Sequence, residues 1–277
     1  MIDNAYLTRF IESALAEDIG TGDITTLSTV PQGTMVSGSF FAKADGVLCG
    51  TDVAKAVFLF IDPDINVQFS AKDGDTVRKG DIIGTISGRA VCVLHGERLA
   101  LNMLQRMSGI ATKAREAADK VKGFEVKILD TRKVTPGLRV FEKYAVRAGG
   151  GHNHRFSLSD GILIKDNHIK AAGGITNAVI AAKDYAPHTL KIEVEVETLE
   201  QVKEALEAGA DIIMLDNMTT DMMREAVKLI GKKALVEASG NMDEKDLREV
   251  ASTGVDYISI GALTNSLKPL DISLKLY

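Results

Sequence analysis

The chain has 277 residues, enough to bury one or two sizeable cores, and its net charge of −5 with a pI near 5.6 excludes the basic stripe of a nucleic-acid-binding protein. Hydrophobic residues make up 45% and charged residues 26%, an ordinary soluble composition, and no apolar run approaches the ~20 residues of a membrane span. The opening MIDNAYLTRF lacks the basic-then-apolar layout of a signal peptide, and Cys49 and Cys92 form no CxxC pair. A reducing cytoplasm is therefore the expected setting, with both thiols read as small buried hydrophobes.

In chain order, the first element is a helix, because NAYLTRFIESALAED places Leu7, Phe10, Ile11, Ala14 and Leu15 on one face. Short strand-like runs follow, GSFFAKADGVLCG and NVQFSA, broken by Gly and Asp. The stretch AKDGDTVRKGDIIGTISG looks like a lipoyl or biotinyl carrier hairpin, yet no Met-Lys-type signature for a modified lysine is present. It therefore reads as sheet architecture with turn glycines. A helix is expected over HGERLALNMLQRMSGIATKAREAADKV, with Leu101 and Leu104 inward and the small residues of SGIAT open to close packing.

Beyond it the pattern changes. Apolar runs recur at VKILD, ILIKD, IEVEVE, IIMLDN, ALVEAS and YISIGA, with amphipathic helices between the later ones. In TLEQVKEALEAGAD, Thr198 and Gln201 form a capping box, Leu199, Val202 and Leu206 make the apolar face, and Gly209 closes the helix. Glu195, Asp216 and Glu237 are spaced by 21 residues, and Ser239 to Gly261 by 22. Strand–helix units of that length imply a parallel sheet, open or closed into a barrel. The barrel is favoured because each apolar strand ends in residues that a core would not choose, and a β/α barrel gathers all its strand C-termini on one face.

Those ends have a chemistry. Arg132 and Lys133 in DTRKVTPGLR, with Arg155 and Lys165 in GGGHNHRFSLSDGILIKDNH, concentrate positive charge on an acidic chain, which suits a small dicarboxylate or phosphorylated ligand. Glu195 and Asp216, read as equivalent ends of neighbouring strands, could hold Mg²⁺ through water. The turns Ser239-Gly240-Asn241 and Ile260-Gly261-Ala262 lie in the last repeats, where barrel loops commonly bind phosphate through backbone N–H groups. His152 and His154 sit at i, i+2 and would share a strand face as metal ligands, but no third ligand is evident. His154 is expected instead as a hydrogen-bond donor to substrate.

Taken in order, GERLALNMLQRMSGIAT, DTRKVTPGLR, EKYAVRAGGGHNHRFSLSDGILIKDNHI, EVEVE, IIMLDN, EASGN and GVDYISIGALTNS closely resemble the quinolinate phosphoribosyltransferase family, over essentially the whole chain. The resemblance implies an α/β fold of type II phosphoribosyltransferase: an N-terminal α/β sandwich over residues 1–107, completed by the tail 267–277, and an incomplete TIM-like β/α barrel over residues 108–266. It implies transfer of phosphoribosyl from phosphoribosyl pyrophosphate to quinolinate with decarboxylation, giving nicotinate mononucleotide, pyrophosphate and CO2 for NAD biosynthesis, with Mg²⁺ as cofactor. Arg132, His154, Arg155 and Lys165 would contact the quinolinate carboxylates, with Thr131 and Lys133 beside them. Lys133, Glu195 and Asp216 would be catalytic, the two acids facing ribose and Mg²⁺. The 239–241 and 260–262 turns would take phosphate. Arg98 would enter the site of a neighbouring subunit, so the protein is expected as a homodimer or a hexamer, with no nucleic-acid or membrane partner. Two rivals are the paralogous protein of molybdenum-uptake operons, which shares the fold, and a small-anion sensor without turnover.

Overall fold

The computed structural model describes residues 2–277. The chain opens with α1 (Asn4–Ile19), whose first turn is capped by the Asp3 carboxylate accepting from Tyr6 N–H; Ile11 and Leu15 carry its buried stripe. α2 (Ile24–Thr29) is followed by β1 (Met35–Ala42), β2 (Gly46–Val47), α3 (Thr51–Ile61), β3 (Asn66–Phe69), β4 (Thr76–Val77) and β5 (Ile82–Arg89). The carrier-like stretch forms no hairpin of its own. β4 pairs with β2, whereas β5 pairs antiparallel with both β1 and β3. Its glycines do serve turns, Gly74 at φ 97° and Gly80 at φ 99°.

α4 (Ala90–Lys120) starts five residues before the expected His95, because Ala90 and Val93 extend the buried stripe of Leu101 and Leu104 back to the end of β5. After it come β6 (Lys127–Leu129), α5 (Arg139–Ala148), β7 (Ile162–Ile164), α6 (Asp166–Ala172), α7 (Ile175–Tyr185) and β8 (Ile192–Val196). α8 (Leu199–Ala208), β9 (Ile212–Asp216), α9 (Thr220–Ile230), β10 (Leu235–Ser239), α10 (Leu247–Ser252), β11 (Tyr257–Ser259), α11 (Ala262–Asn265) and β12 (Ile272–Leu276) complete the chain. The capping box of Thr198 and Gln201 on α8 is present, and Gly209 closes that helix at φ 78°.

The elements fall into two compact units. The first holds the chain up to Arg115 together with Pro136–Gly150 and Leu267–Tyr277. Its four-stranded antiparallel sheet has the order β12-β1-β5-β3, so the C-terminal tail completes the N-terminal sheet, with Gly38 opposite Leu276 and Ala42 opposite Ile272. Phe40, Phe58 and Phe69 pack against one another in its core. The small residues of α4 are used as their size suggests. Ser108 Oγ accepts from Cys49 N–H at 2.9 Å, Thr112 Oγ1 accepts from Val47 N–H at 2.9 Å, and a Cβ on Gly109 would come within 2.4 Å of the Lys268 carbonyl oxygen. Cys49 is buried, which pushes its thiol pKa up, whereas Cys92 is only half-buried.

The segment 136–150, expected in the barrel, belongs to this first unit. The reason is packing: Phe141 on α5 is buried against the rings of Tyr6 and Phe10, the latter at 4.6 Å, and the buried Glu142 is paired with Arg106.

The second unit is Glu116–Thr135 with Gly151–Ser266. Its sheet is six-stranded and parallel, in the order β6-β11-β10-β9-β8-β7. The strands do not close into a ring: β6 and β7 are edges, and β6 extends only to an isolated bridge between Leu129 and His152. This is an incomplete β/α barrel. Among the described residues no helix is long and apolar enough to cross a membrane.

Candidate active site

A cavity of about 650 Å³ opens at the C-terminal ends of the barrel strands. Thr131, Arg132 and Lys133 reach it from β6, Lys165 from β7, Glu195 from β8, Asp216 from β9, Ser239, Gly240 and Asn241 from β10, and Gly261 and Ala262 from β11. His154 and Arg155 enter from the loop after the bridge at His152. Physics places them there: apolar strands bury their middles, and the first residues with no apolar neighbour to pack on are the strand ends.

Ile260, expected at the site, stands elsewhere, and Arg98, expected to serve a neighbouring subunit's cavity, does not line this one. Ile260 is a core residue, 3% exposed, whose N–H donates to Leu129 O; only Gly261 and Ala262 of that turn line the cavity. Arg98 is exposed on α4, in the first unit. The equal 21-residue spacing also misled the alignment of the acids. In the sheet Glu195 and Glu237 both lie opposite Met214, while Asp216 pairs with Ser239, so Glu195 and Asp216 are not equivalent ends. His152 does not line the cavity.

The cations are tied down before any ligand arrives. Lys165 Nζ sits 2.5 Å from Glu195 Oε2, and Arg155 Nη1 donates to Gly161 O at 2.9 Å. Burial, followed by the neighbouring Arg132, lowers the Arg155 pKa from its ordinary value, with Glu193 and Asp160 acting the other way. Lys133 N–H donates to Thr131 Oγ1 at 3.0 Å, and its carbonyl accepts from Thr264 Oγ1 at 2.8 Å. The rim opposite is conformationally special. Asn217 and Asn241 hold φ 54° and 49°, and a Cβ on Gly240, at φ 90°, would lie 2.2 Å from Asn217 Oδ1. Only glycine fits that close approach.

His154 is held from three sides: its N–H donates to Asp130 Oδ1 at 2.8 Å, its Nδ1 accepts from Arg155 N–H at 2.7 Å, and its Nε2 lies 3.2 Å from Glu193 Oε2 and 3.7 Å from Glu237 Oε2. Both ring nitrogens therefore face protein, unlike the substrate donor expected from sequence. Glu193 and Glu237, 5% and 2% exposed, are the residues sequence reading missed. The available signal was an acid within an apolar strand, since burying a carboxylate is costly without a specific role. Burial, then the Glu193 charge, pushes the Glu237 carboxyl up to about 8.

His154, Glu193 and Glu237 are the one group of three acid, histidine or cysteine side chains among the described residues placed to share an ion. The chemistry of the ring argues against it. Nδ1 accepts a hydrogen bond, so Nε2 carries the ring proton, and an ion there would need that lone pair. Glu195 and Asp216, by contrast, are oxygen donors open to the cavity and fit Mg²⁺ held through its water, Glu195 being already engaged by Lys165.

Known proteins similar in sequence to this chain belong to one family. The family model for the quinolinate phosphoribosyl transferase N-terminal domain matches residues 23–108, and that for the C-terminal domain matches residues 110–275. The chain is 46% identical over 273 residues to a probable nicotinate-nucleotide pyrophosphorylase [carboxylating] of Bacillus subtilis, covering 99% of this chain and 94% of that protein. It is 45% identical over 289 residues to the chloroplastic nicotinate-nucleotide pyrophosphorylase [carboxylating] of Arabidopsis thaliana, covering 98% and 82%. The solved structure of the nicotinate-nucleotide pyrophosphorylase from Francisella tularensis matches with a TM-score of 0.95 at 39% identity, covering 100% of this chain and 98% of that one. With both domain models matched in order and relatives aligned along nearly its whole length, the chain belongs to the quinolinate phosphoribosyl transferase family.

Proposed function

We propose that the cavity binds quinolinate and phosphoribosyl pyrophosphate and joins them, releasing pyrophosphate and CO2 and forming nicotinate mononucleotide. The observation that carries this reading is the convergence of Arg132, Lys133, Arg155 and Lys165 on one cavity that also holds Glu195 and Asp216. Two carboxylates, a phosphate and a diphosphate need concentrated cations, while the reacting ribose needs anions. Arg132, Arg155 and Lys165 take the quinolinate carboxylates, with Thr131 and His154 shaping the pocket. The 239–241 turn and the Gly261-Ala262 backbone take phosphate.

The pyridine nitrogen attacks the anomeric carbon as its bond to pyrophosphate breaks. Glu195 and Asp216 stabilise the positive charge that develops on the ribose. Lys133 offsets charge on the departing diphosphate. Mg²⁺, held through water at Asp216 and Glu195, supplies further positive charge there when bound. A substrate carboxylate beside Lys165 competes for its ammonium and so returns the charge of Glu195 to the cavity. The electron pair of the breaking carbon–carboxylate bond stays on the ring carbon as CO2 leaves, stabilised by the adjacent nitrogen, now quaternary and positively charged, and that carbon then takes a proton. In this reading the protein is a homodimer or a larger assembly in which Arg98 serves a neighbouring subunit's cavity.

The test is to mix the protein with quinolinate labelled in the carboxylate beside the nitrogen, phosphoribosyl pyrophosphate and Mg²⁺. Labelled CO2 released only when all are present is the expected result. Quinolinate binding with no CO2 would instead identify a sensor.

A further inference from the structure

A pocket for anions has two carboxylates buried at its base, and nothing in the proposed chemistry uses them. Glu193 and Glu237 come from β8 and β10, the strands flanking β9, where they lie opposite Ile212 and Met214 respectively. Glu193 Oε1 is buried with no hydrogen-bond partner, and the buried Ser259 Oγ lies close enough to the buried Glu237 carboxyl to lower its pKa. Burying such groups costs stability, and negative charge there opposes the binding of anions.

We propose that Glu193, supported by Glu237, is a positioning residue that acts through His154 to fix the backbone from which Arg155 reaches into the cavity. The His154 ring is a strut. Its Nδ1 accepts the Arg155 N–H at 2.7 Å, which leaves the ring proton on Nε2. Nε2 points at Glu193, within hydrogen-bonding distance at 3.2 Å, with Glu237 at 3.7 Å as the next acceptor. Asp130 pins the His154 backbone from the other side at 2.8 Å. With peptide and side chain of His154 both fixed, the Arg155 N–H has one place to go. Arg155 then needs only its bond to Gly161 O to set the direction of its guanidinium. The charge of Glu193 also offsets the burial and the Arg132 repulsion that act on Arg155. Burial, then the charge of Glu193, raises the Glu237 pKa, which limits the negative charge beneath the pocket.

The strut itself is independent of the ligand; that Arg155 grips quinolinate rests on the function proposed above. Isotope-labelled histidine spectra of the ligand-free wild type at about pH 8, above the ordinary histidine range, should show His154 with Nδ1 bare and Nε2 protonated, the signal assigned by its loss in His154→Gln. A ring protonated on Nδ1, or on both nitrogens, would overturn the strut without any variant of Glu193. Glu193→Met, close in shape but with no acceptor, should disturb that tautomer and raise the quinolinate Kd by at least about tenfold, as a lost charged hydrogen bond does. The Kd for phosphoribosyl pyrophosphate should hold. Glu193→Gln, which keeps an acceptor oxygen, should recover most of the loss. Equal weakening of both ligands in Glu193→Met and Glu193→Gln, or an unaltered quinolinate Kd in Glu193→Met, would overturn the positioning role. Failure of wild type to bind quinolinate would overturn the ligand assignment alone, since the ring spectra decide the strut without ligand.

Discussion

Arg132 and Arg155 carry like charge into one cavity, and burial, then repulsion from Arg132, lowers the Arg155 pKa from its ordinary value. Such a pair is unfavourable by itself and favourable only with an anion between its members. Arg132→Ala and Arg155→Ala should each raise the quinolinate Kd by an amount corresponding to about 1.5–3 kcal/mol, the usual cost of a lost charged hydrogen bond; calorimetry with quinolinate alone measures it, and an unchanged Kd would remove the carboxylates from these residues. Glu237 yields a prediction on stability. Its folded-state pKa is raised to about 8 by burial and by Glu193, with His154 and Ser259 acting the other way. The folded protein therefore keeps a proton that the unfolded chain releases above about pH 4.3, and the stability linked to it is present in acid and lost as pH climbs to about 8. Melting curves should show wild type losing ground to Glu237→Gln across that window, with no further divergence above it. Parallel curves throughout would show that Glu237 does not bind the extra proton.

The elements were legible wherever local periodicity decides. The six barrel strands and the capping box on α8 stand where alternation, apolar runs and caps put them. Legibility failed where partners decide. β4 joins β2 because of distant pairing, and α5 leaves the barrel because Phe141 packs on Tyr6 and Phe10. The Gly109 position on α4 tests the close packing that SGIAT suggested. A Cβ there meets the Lys268 carbonyl oxygen at 2.4 Å and Pro269 Cα at 3.0 Å, both backbone atoms that cannot swing aside. Gly109→Ala gains about 1 kcal/mol of helix propensity but incurs overpacking of roughly 1–3 kcal/mol. With backbone as the obstacle the upper end applies, so Tm should fall and β12 should exchange its amide hydrogens faster. A raised Tm would mean that the tail moves away freely.

At the scale of the whole molecule the open question is the role of Arg98, exposed on α4 while the cavity is built from barrel strands. If the protein works as a two-fold assembly in which Arg98 serves the neighbouring cavity, the contribution is reciprocal. Arg98→Ala and Lys165→Ala subunits should each be inactive alone. Hybrids made by mixing them should regain part of the activity, because one cavity then combines an intact Arg98 with an intact Lys165. Demonstrated subunit exchange with no return of activity would assign Arg98 to an ion pair within its own chain, as with a helix acid.

What the sequence by itself determined are the quantities set by neighbours along the chain: strand ends where apolar runs stop, helix caps at Thr198 and Gly209, and the concentration of Arg132, Lys133, Arg155 and Lys165 on an acidic background. Those suffice to predict one anion-binding face, because a parallel barrel sends all its strand ends the same way. Tertiary structure alone decided what depends on distances between remote residues. It set the register that separates Glu195 from Asp216, the burial of Ile260, and the turning of both His154 ring nitrogens toward Arg155 N–H and Glu193. Glu193 shows why. In the chain it is one of three alternating acids of EVEVE, indistinguishable by composition from Glu195. Two residues of depth in the sheet put one in a buried cluster and leave the other facing the cavity, and that depth is fixed by which strand lies alongside.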